Sequence, residues 1–137
     1  MKATKAESEP MKALRILLVE DDPMIGALLA DVLKNMGHDV CAIVVTQEAA
    51  VTAASQYRPE LVITDVRLGD GSGISAIDEI LRIRFVPHLF MTGNISKAKA
   101  LRPDAVILEK PFTEVLLRLA IQRALDIAAT SSRTEWA

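Results

Sequence analysis

The sequence predicts an α/β domain built around one parallel sheet of five strands. Short apolar runs alternate with helix-patterned segments along the chain, which is the mark of consecutive βαβ units. The runs are continuously apolar rather than alternating, as strands covered on both faces must be. Four of them stop at polar residues of matching chemistry: Ile16–Val19 at Glu20-Asp21-Asp22, Leu61–Thr64 at Asp65, Leu89–Met91 at Thr92-Gly93, and Ala105–Glu109 at Lys110-Pro111. In open α/β sheets the carboxyl ends of the strands form the binding rim.

The first strand is expected over Leu14–Val19. Asp22 as cap and Pro23 in the first turn then start a helix. Ile25, Leu28, Leu29, Val32 and Leu33 follow the i, i+3, i+4, i+7, i+8 pattern of one helical face, and Gly37 ends it. Val40–Val45 is rich in β-branched residues and reads as the second strand. Thr46–Gln56 is an alanine-rich helix with Thr46 as cap. Leu61–Thr64, the third strand, leads into a glycine-dense loop at Gly69–Gly73. A helix over Ile74–Arg84 places Ile74, Ile77 and Leu81 on one face. Leu89–Met91 and Ala105–Glu109 are the fourth and fifth strands. Between them only Ser96–Leu101 reads as helical, so the fourth helix is expected to be short or loose. Thr113 opens the last helix, which should run to Ala129 with Leu116, Leu119, Ala120 and Arg123 in register.

A chain of 137 residues, 50% hydrophobic, suits a single folded domain, expected over 13–129 between a flexible N-terminal tail at 1–12 and a C-terminal tail at 130–137. A net charge of −2 argues against a nucleic-acid partner. No stretch approaches the ~20 apolar residues of a membrane span, and the N-terminus lacks the apolar core of a secretory signal. Cys41 has no second cysteine to pair with and reads as a plain buried thiol, so a reducing, cytoplasmic setting is expected.

The strand-end acids carry the chemistry. Two unit charges about 4 Å apart repel by roughly 4 kcal/mol at an effective dielectric near 20. Glu20, Asp21 and Asp65 brought together therefore call for a cation. A hard divalent ion such as Mg²⁺, sharing a phosphate, suits such oxygen donors. Asp65 is the candidate nucleophile, because a carboxylate can attack phosphorus to give an aspartyl phosphate. Lys110 supplies a point charge for the phosphoryl oxygens, and Pro111 suggests a fixed turn, with a cis bond, that aims it. Thr92 offers a hydroxyl to the same oxygens. Asp22, directly before Pro23, reads as a helix cap rather than a ligand. His38 and His88 are isolated and carry no assigned role. Arg67 and Asn94 flank the approach to Asp65, where they either tune hydrolysis or are solvated loop residues.

Val19-Glu20-Asp21-Asp22-Pro23, the lone Asp65 after Leu-Val-Ile-Thr, Thr92-Gly93 and Lys110-Pro111-Phe112, in this order, resemble the signature of the receiver domain of two-component response regulators over about Leu14 to Ala129. The resemblance implies a flavodoxin-like (βα)5 three-layer sandwich with strand order 2-1-3-4-5. It implies Asp65 as acceptor of a phosphoryl group from a histidine kinase or phosphotransfer protein that docks on the first helix and the Lys110–Thr113 loop. It implies Asp21 and Asp65 as direct Mg²⁺ ligands, Glu20 acting through water, and the Arg67 carbonyl as a further ligand, with Thr92 and Lys110 on the phosphoryl group.

Phe90-Met91-Thr92-Gly93-Asn94-Ile95 is similar to the FATGUY variant of alphaproteobacterial single-domain regulators, and Asp65–Gly73 to the receiver of the alphaproteobacterial general-stress regulator. Where typical receivers carry an aromatic three residues before the lysine, this chain has Ile107, which cannot make the same inward swing. The expectation is a stand-alone regulator rather than an enzyme, catalysing only its own phosphorylation and dephosphorylation. It would signal to an unknown downstream protein or act as a phosphate sink. An aspartate-nucleophile phosphatase wants a second acid where Arg67 stands. A flavin module wants an anion-receiving loop where Glu20-Asp21-Asp22 stands. A degenerate receiver would lack part of the intact acid, threonine and lysine set.

Overall fold

The computed structural model describes residues 12–136, with side chains as far as Thr130. The expected N-terminal tail lies almost wholly outside the described residues. The elements are β1 (Arg15–Val19), α1 (Pro23–Asn35), β2 (Asp39–Val44), α2 (Gln47–Tyr57), β3 (Leu61–Asp65), β4 (Arg67–Leu68), β5 (Gly71–Ser72), α3 (Gly73–Ile83), β6 (His88–Thr92), α4 (Ile95–Leu101), β7 (Ile107–Glu109) and α5 (Glu114–Trp136).

The main sheet is parallel and five-stranded, ordered β2-β1-β3-β6-β7. This is the expected order once β4 and β5 are set aside. Those two-residue strands form a separate antiparallel hairpin where the glycine-dense loop was anticipated. Strand side chains alternate between two cores. Ile16, Leu18 and Ile63 face α1 and α5, whereas Leu17, Val19 and Val62 face α2 and α3. Both faces of the central strands are therefore dry, which is why their sequences show no polar alternation.

Caps fall where sequence chemistry places them. Asp22 accepts hydrogen bonds from the Met24 and Ile25 N–H groups, with Pro23 opening α1. Thr46 accepts from Ala49 N–H at the start of α2. Gly37, at φ +98°, takes the left-handed conformation that ends α1.

Two helix faces differ from expectation. On α1 the buried residues are Gly26, Leu29, Ala30 and Leu33, while Ile25 and Leu28 face solvent, Leu28 at 62% exposure. On α5 they are Leu117, Ala120, Ile121, Ala124 and Ala128, and Leu116 and Leu119 are exposed. The reason is close approach. A methyl added at Gly26 would lie 3.1 Å from Ile43 Cγ2, so this glycine lets α1 sit close to the sheet while Leu29 and Leu33 fill the core beside it. The backbone of α5 continues to Trp136, beyond the Ala129 at which the apolar pattern stops. No helix is long and apolar enough to cross a membrane, among the described residues.

Candidate functional site

The sheet register gathers the strand-end residues at one rim. Val19 of β1 pairs with Thr64 of β3, Asp65 with Met91 of β6, and Thr92 with Glu109 of β7. Glu20, Asp65, Thr92 and Lys110 are thus carried to the same edge by four strands. Carboxylate oxygens of Glu20, Asp21 and Asp65 lie within 4.8 Å of one another. Lys110 Nζ stands 2.6 Å from Glu20 Oε1 and 2.6 Å from Asp65 Oδ1, bridging the two. The Asp21 N–H donates to Asp65 Oδ2 at 3.3 Å and the Asp22 N–H to Glu20 Oε2 at 3.1 Å. The Lys110–Pro111 peptide is cis, as the sequence suggested.

Glu20 and Asp65 are nearly inaccessible, at 1% and 5% exposure, while Asp21 is exposed. Burial opposes ionisation of both buried acids most strongly. For Glu20 the hydrogen bonds from Asp65, Lys110 and the Asp22 backbone outweigh it and hold the carboxyl at about 2. For Asp65, burial and the contact with Glu20 together overcome Lys110, and the carboxyl is pushed up to about 8. One ammonium cannot neutralise two buried carboxylates, so ionisation of Asp65 is opposed until a further cation joins the cluster. Lys110 is itself raised, since its two acid partners outweigh its desolvation.

An open pocket of about 320 Å³ sits over this cluster, lined by Asp21, Asp65, Arg67, Thr92 and Lys110 among others. Asp21, Asp65, Arg67, Thr92 and Lys110, all singled out from sequence, line it; Asn94 does not, and Glu20 is buried as the partner of Lys110. Thr92 does not bond to the carboxylates. Its Oγ1 accepts the Asn94 N–H at 3.0 Å, and Asn94 Oδ1 in turn accepts from Lys97 N–H at 3.1 Å to cap α4. Asn94 is thereby tied to the site in a way the sequence reading missed, although an asparagine before Ile95-Ser96-Lys97 is itself a cap signal. Gly73 is the second structural requirement. A methyl there would fall 1.8 Å from the Asp65 carbonyl oxygen, so α3 can begin directly against β3 only with glycine.

The donor set fits a hard divalent cation. It consists of oxygen atoms alone, is acidic beyond what Lys110 balances, and opens to solvent on the Asp21 side. The histidines stand apart. His38 Nδ1 accepts the Leu14 N–H at 3.1 Å, and His88 Nδ1 contacts the Val86 carbonyl at 2.9 Å. Cys41 is only half-buried, less than expected, and its thiol lies 3.3 Å from the Ile16 carbonyl.

Acid cluster, lysine and threonine at the rim of a 2-1-3-ordered parallel sheet define a phosphorylation-dependent signalling domain. The family model for the response regulator receiver domain matches residues 16–122, and the chain belongs to that family. It is 33% identical over 127 residues to the phyllosphere-induced regulator PhyR of Methylorubrum extorquens, covering 90% of this chain and 48% of that protein. The chain thus spans about half the length of that curated relative. Among solved structures it resembles the receiver domain of Erythrobacter litoralis PhyR, with a TM-score of 0.76, 33% identity and coverage of 85% and 93% of the two chains. Brucella abortus PhyR aligns with a TM-score of 0.79 at 29% identity, over 90% of this chain and 52% of that one. Receiver domains bind Mg²⁺ at an acidic pocket, and Glu20, Asp21 and Asp65 form such a cluster here.

Proposed function

We propose that the domain accepts a phosphoryl group on Asp65 from a histidine kinase or phosphotransfer protein and passes the signal on by protein contact, or drains phosphate from a shared donor. The observation that carries this reading is Lys110 Nζ at 2.6 Å from Asp65 Oδ1, inside a carboxylate cluster at the mouth of an open pocket. An Asp65 carboxylate oxygen would attack phosphorus. The bond from phosphorus to the donor nitrogen breaks, its electron pair stays on the imidazole, and an aspartyl phosphate results. Lys110 would turn from Asp65 to the transferred oxygens, and Thr92 would donate its hydroxyl to them. Glu20, buried and ionised, holds Lys110 in place throughout.

Mg²⁺, held by Asp21, Asp65 and the Arg67 carbonyl with Glu20 reaching it through water, would supply charge neutralisation on those oxygens. That is most of what phosphoryl transfer requires of a protein, so the domain needs no further catalytic group and is not an enzyme on other substrates. Exposed apolar residues of α1, Met24 and Leu28, offer a kinase its docking surface together with the Lys110–Thr113 loop. Cytoplasmic residence follows from such a donor.

Incubation with Mg²⁺ and acetyl phosphate, read by intact mass, tests the assignment. The parent should gain one phosphoryl group and Asp65→Asn none. Equal modification of both would move the acceptor elsewhere.

A further inference from the structure

We propose that Gln47 is a positioning residue for the metal side of this site, acting through the β4–β5 hairpin; the inference rests on the reading of Asp65 and the Arg67 carbonyl given above. Gln47 opens α2 and does not line the pocket over Asp65. Its amide nevertheless grips the hairpin. Oε1 accepts the Ser72 N–H at 2.9 Å, and Nε2 donates to Glu79 Oε2 of α3 at 3.4 Å. Hairpin backbone rests directly on this side chain, since a methyl added at Gly71 would lie 2.9 Å from Gln47 Oε1 and 3.0 Å from its Cβ.

The strand opposite is the one that matters for the ion. Ser72 pairs with Arg67, and Arg67 lines the same pocket as Asp21 and Asp65. A two-residue antiparallel ladder has little stability of its own. Its base is closed by Gly73 N–H to the Val66 carbonyl at 2.8 Å, and Gln47 supplies the hold on its far strand. Ser72 gives its N–H to Gln47, so movement of Ser72 reaches the Arg67 carbonyl through the connections on either side, the Gly73 N–H bond to Val66 and the pairing of Gly71 with Leu68. Mg²⁺ demands near-ideal octahedral placement of its ligands, so a small displacement of that carbonyl weakens the ion's binding. Groups that orient ligands in this way govern affinity without touching the metal.

The test compares the parent with Gln47→Met, which keeps the volume and removes both hydrogen bonds. Mg²⁺ is titrated while the amide resonances of residues 65–73 are followed. Gln47→Met should raise the Mg²⁺ dissociation constant by about tenfold, the low end of losses seen for ligand-orienting groups. The acetyl phosphate reaction should recover the parent's rate once Mg²⁺ saturates. An unaltered dissociation constant, with only a lower melting temperature, would overturn the proposal and leave Gln47 a structural residue. Should Gln47→Met fail to fold, Gly71→Ala displaces the same contact from the other side and must weaken Mg²⁺ binding likewise. Asp21→Asn serves as control: if it binds Mg²⁺ as the parent does, the metal reading itself falls and the brace falls with it. If Asp21→Asn loses binding while Gln47→Met keeps it, only the brace is wrong.

Discussion

Lys110 decides the charge balance of the rim, because one ammonium stands against two buried acids 90 residues away and 45 residues away along the chain. The acids, the threonine and the lysine were legible as single residues, since each directly follows an apolar run and a strand end can go nowhere but the rim. What was not legible is which of them touch. That Lys110 divides itself between Glu20 and Asp65, and that Thr92 is engaged by Asn94, depends on side-chain torsions that no spacing encodes. His38 shows the same limit and gives a prediction. Its burial, with a smaller contribution from Arg118, holds the imidazole below its ordinary value, and its Nε2 has no hydrogen-bond partner among the described residues. The unfolded chain therefore takes up the proton first as pH falls. Stability associated with His38 is complete above the unfolded value near 6.5 and declines as pH drops through it. Urea denaturation between pH 8 and pH 5.5 should show the parent losing stability relative to His38→Gln. Parallel pH profiles for the two would show that the ring is protonated equally in both states.

Among the elements, α4 agrees with expectation in length and place, seven residues over Ile95–Leu101. It is short, as its poor apolar pattern foretold, but it is a formed helix with a cap. Asn94 closes its N-terminus and Arg102, just past its C-terminus, pairs with Asp78 of α3. A phosphoryl group that recruits the Thr92 hydroxyl must take its hydrogen from the Asn94 carbonyl oxygen at the head of the helix, to which Oγ1 donates at 3.4 Å. The sign of the conformational response is then a loosening of the first turn rather than an ordering of a loose segment. With beryllofluoride bound, amide exchange at Asn94–Ala98 should quicken, and unchanged protection there would rule this route out. Asn94→Ala should cost about 1 kcal/mol of stability, the ordinary loss for a cap, read by denaturant unfolding. Ile107 makes this local route the more important, since it cannot swing as an aromatic would. The faces of α1 and α5 were assigned only in part: Leu29, Leu33 and Ala120 are buried as expected, whereas Ile25, Leu28, Leu116 and Leu119 are exposed. Periodicity marks where apolar residues recur, and it gave no weight to Gly26 and Ala30, which share the buried face of α1 with Leu29 and Leu33.

For the whole molecule, the parallel direction of the strands was readable because covered strands are apolar throughout, whereas their order came only from the family resemblance that the motifs carry. The β4–β5 hairpin was not, because its two strands are shorter than any periodic signal. Net repulsion at the rim predicts a global effect. Millimolar Mg²⁺ at neutral pH should raise the melting temperature, by a ligand that binds only the folded state. Asp21→Asn should blunt that rise, and an equal rise in the variant would place the ion elsewhere. The position of β7 has a wider consequence. It is three residues long and forms one margin of the sheet, yet it leads directly to the ammonium. Fraying of that margin alone would disarm the acid cluster while leaving most of the fold intact. Competence to react would then vanish at milder denaturant than bulk structure does, making chemical reactivity a sensitive gauge of how firmly the outermost strand is seated.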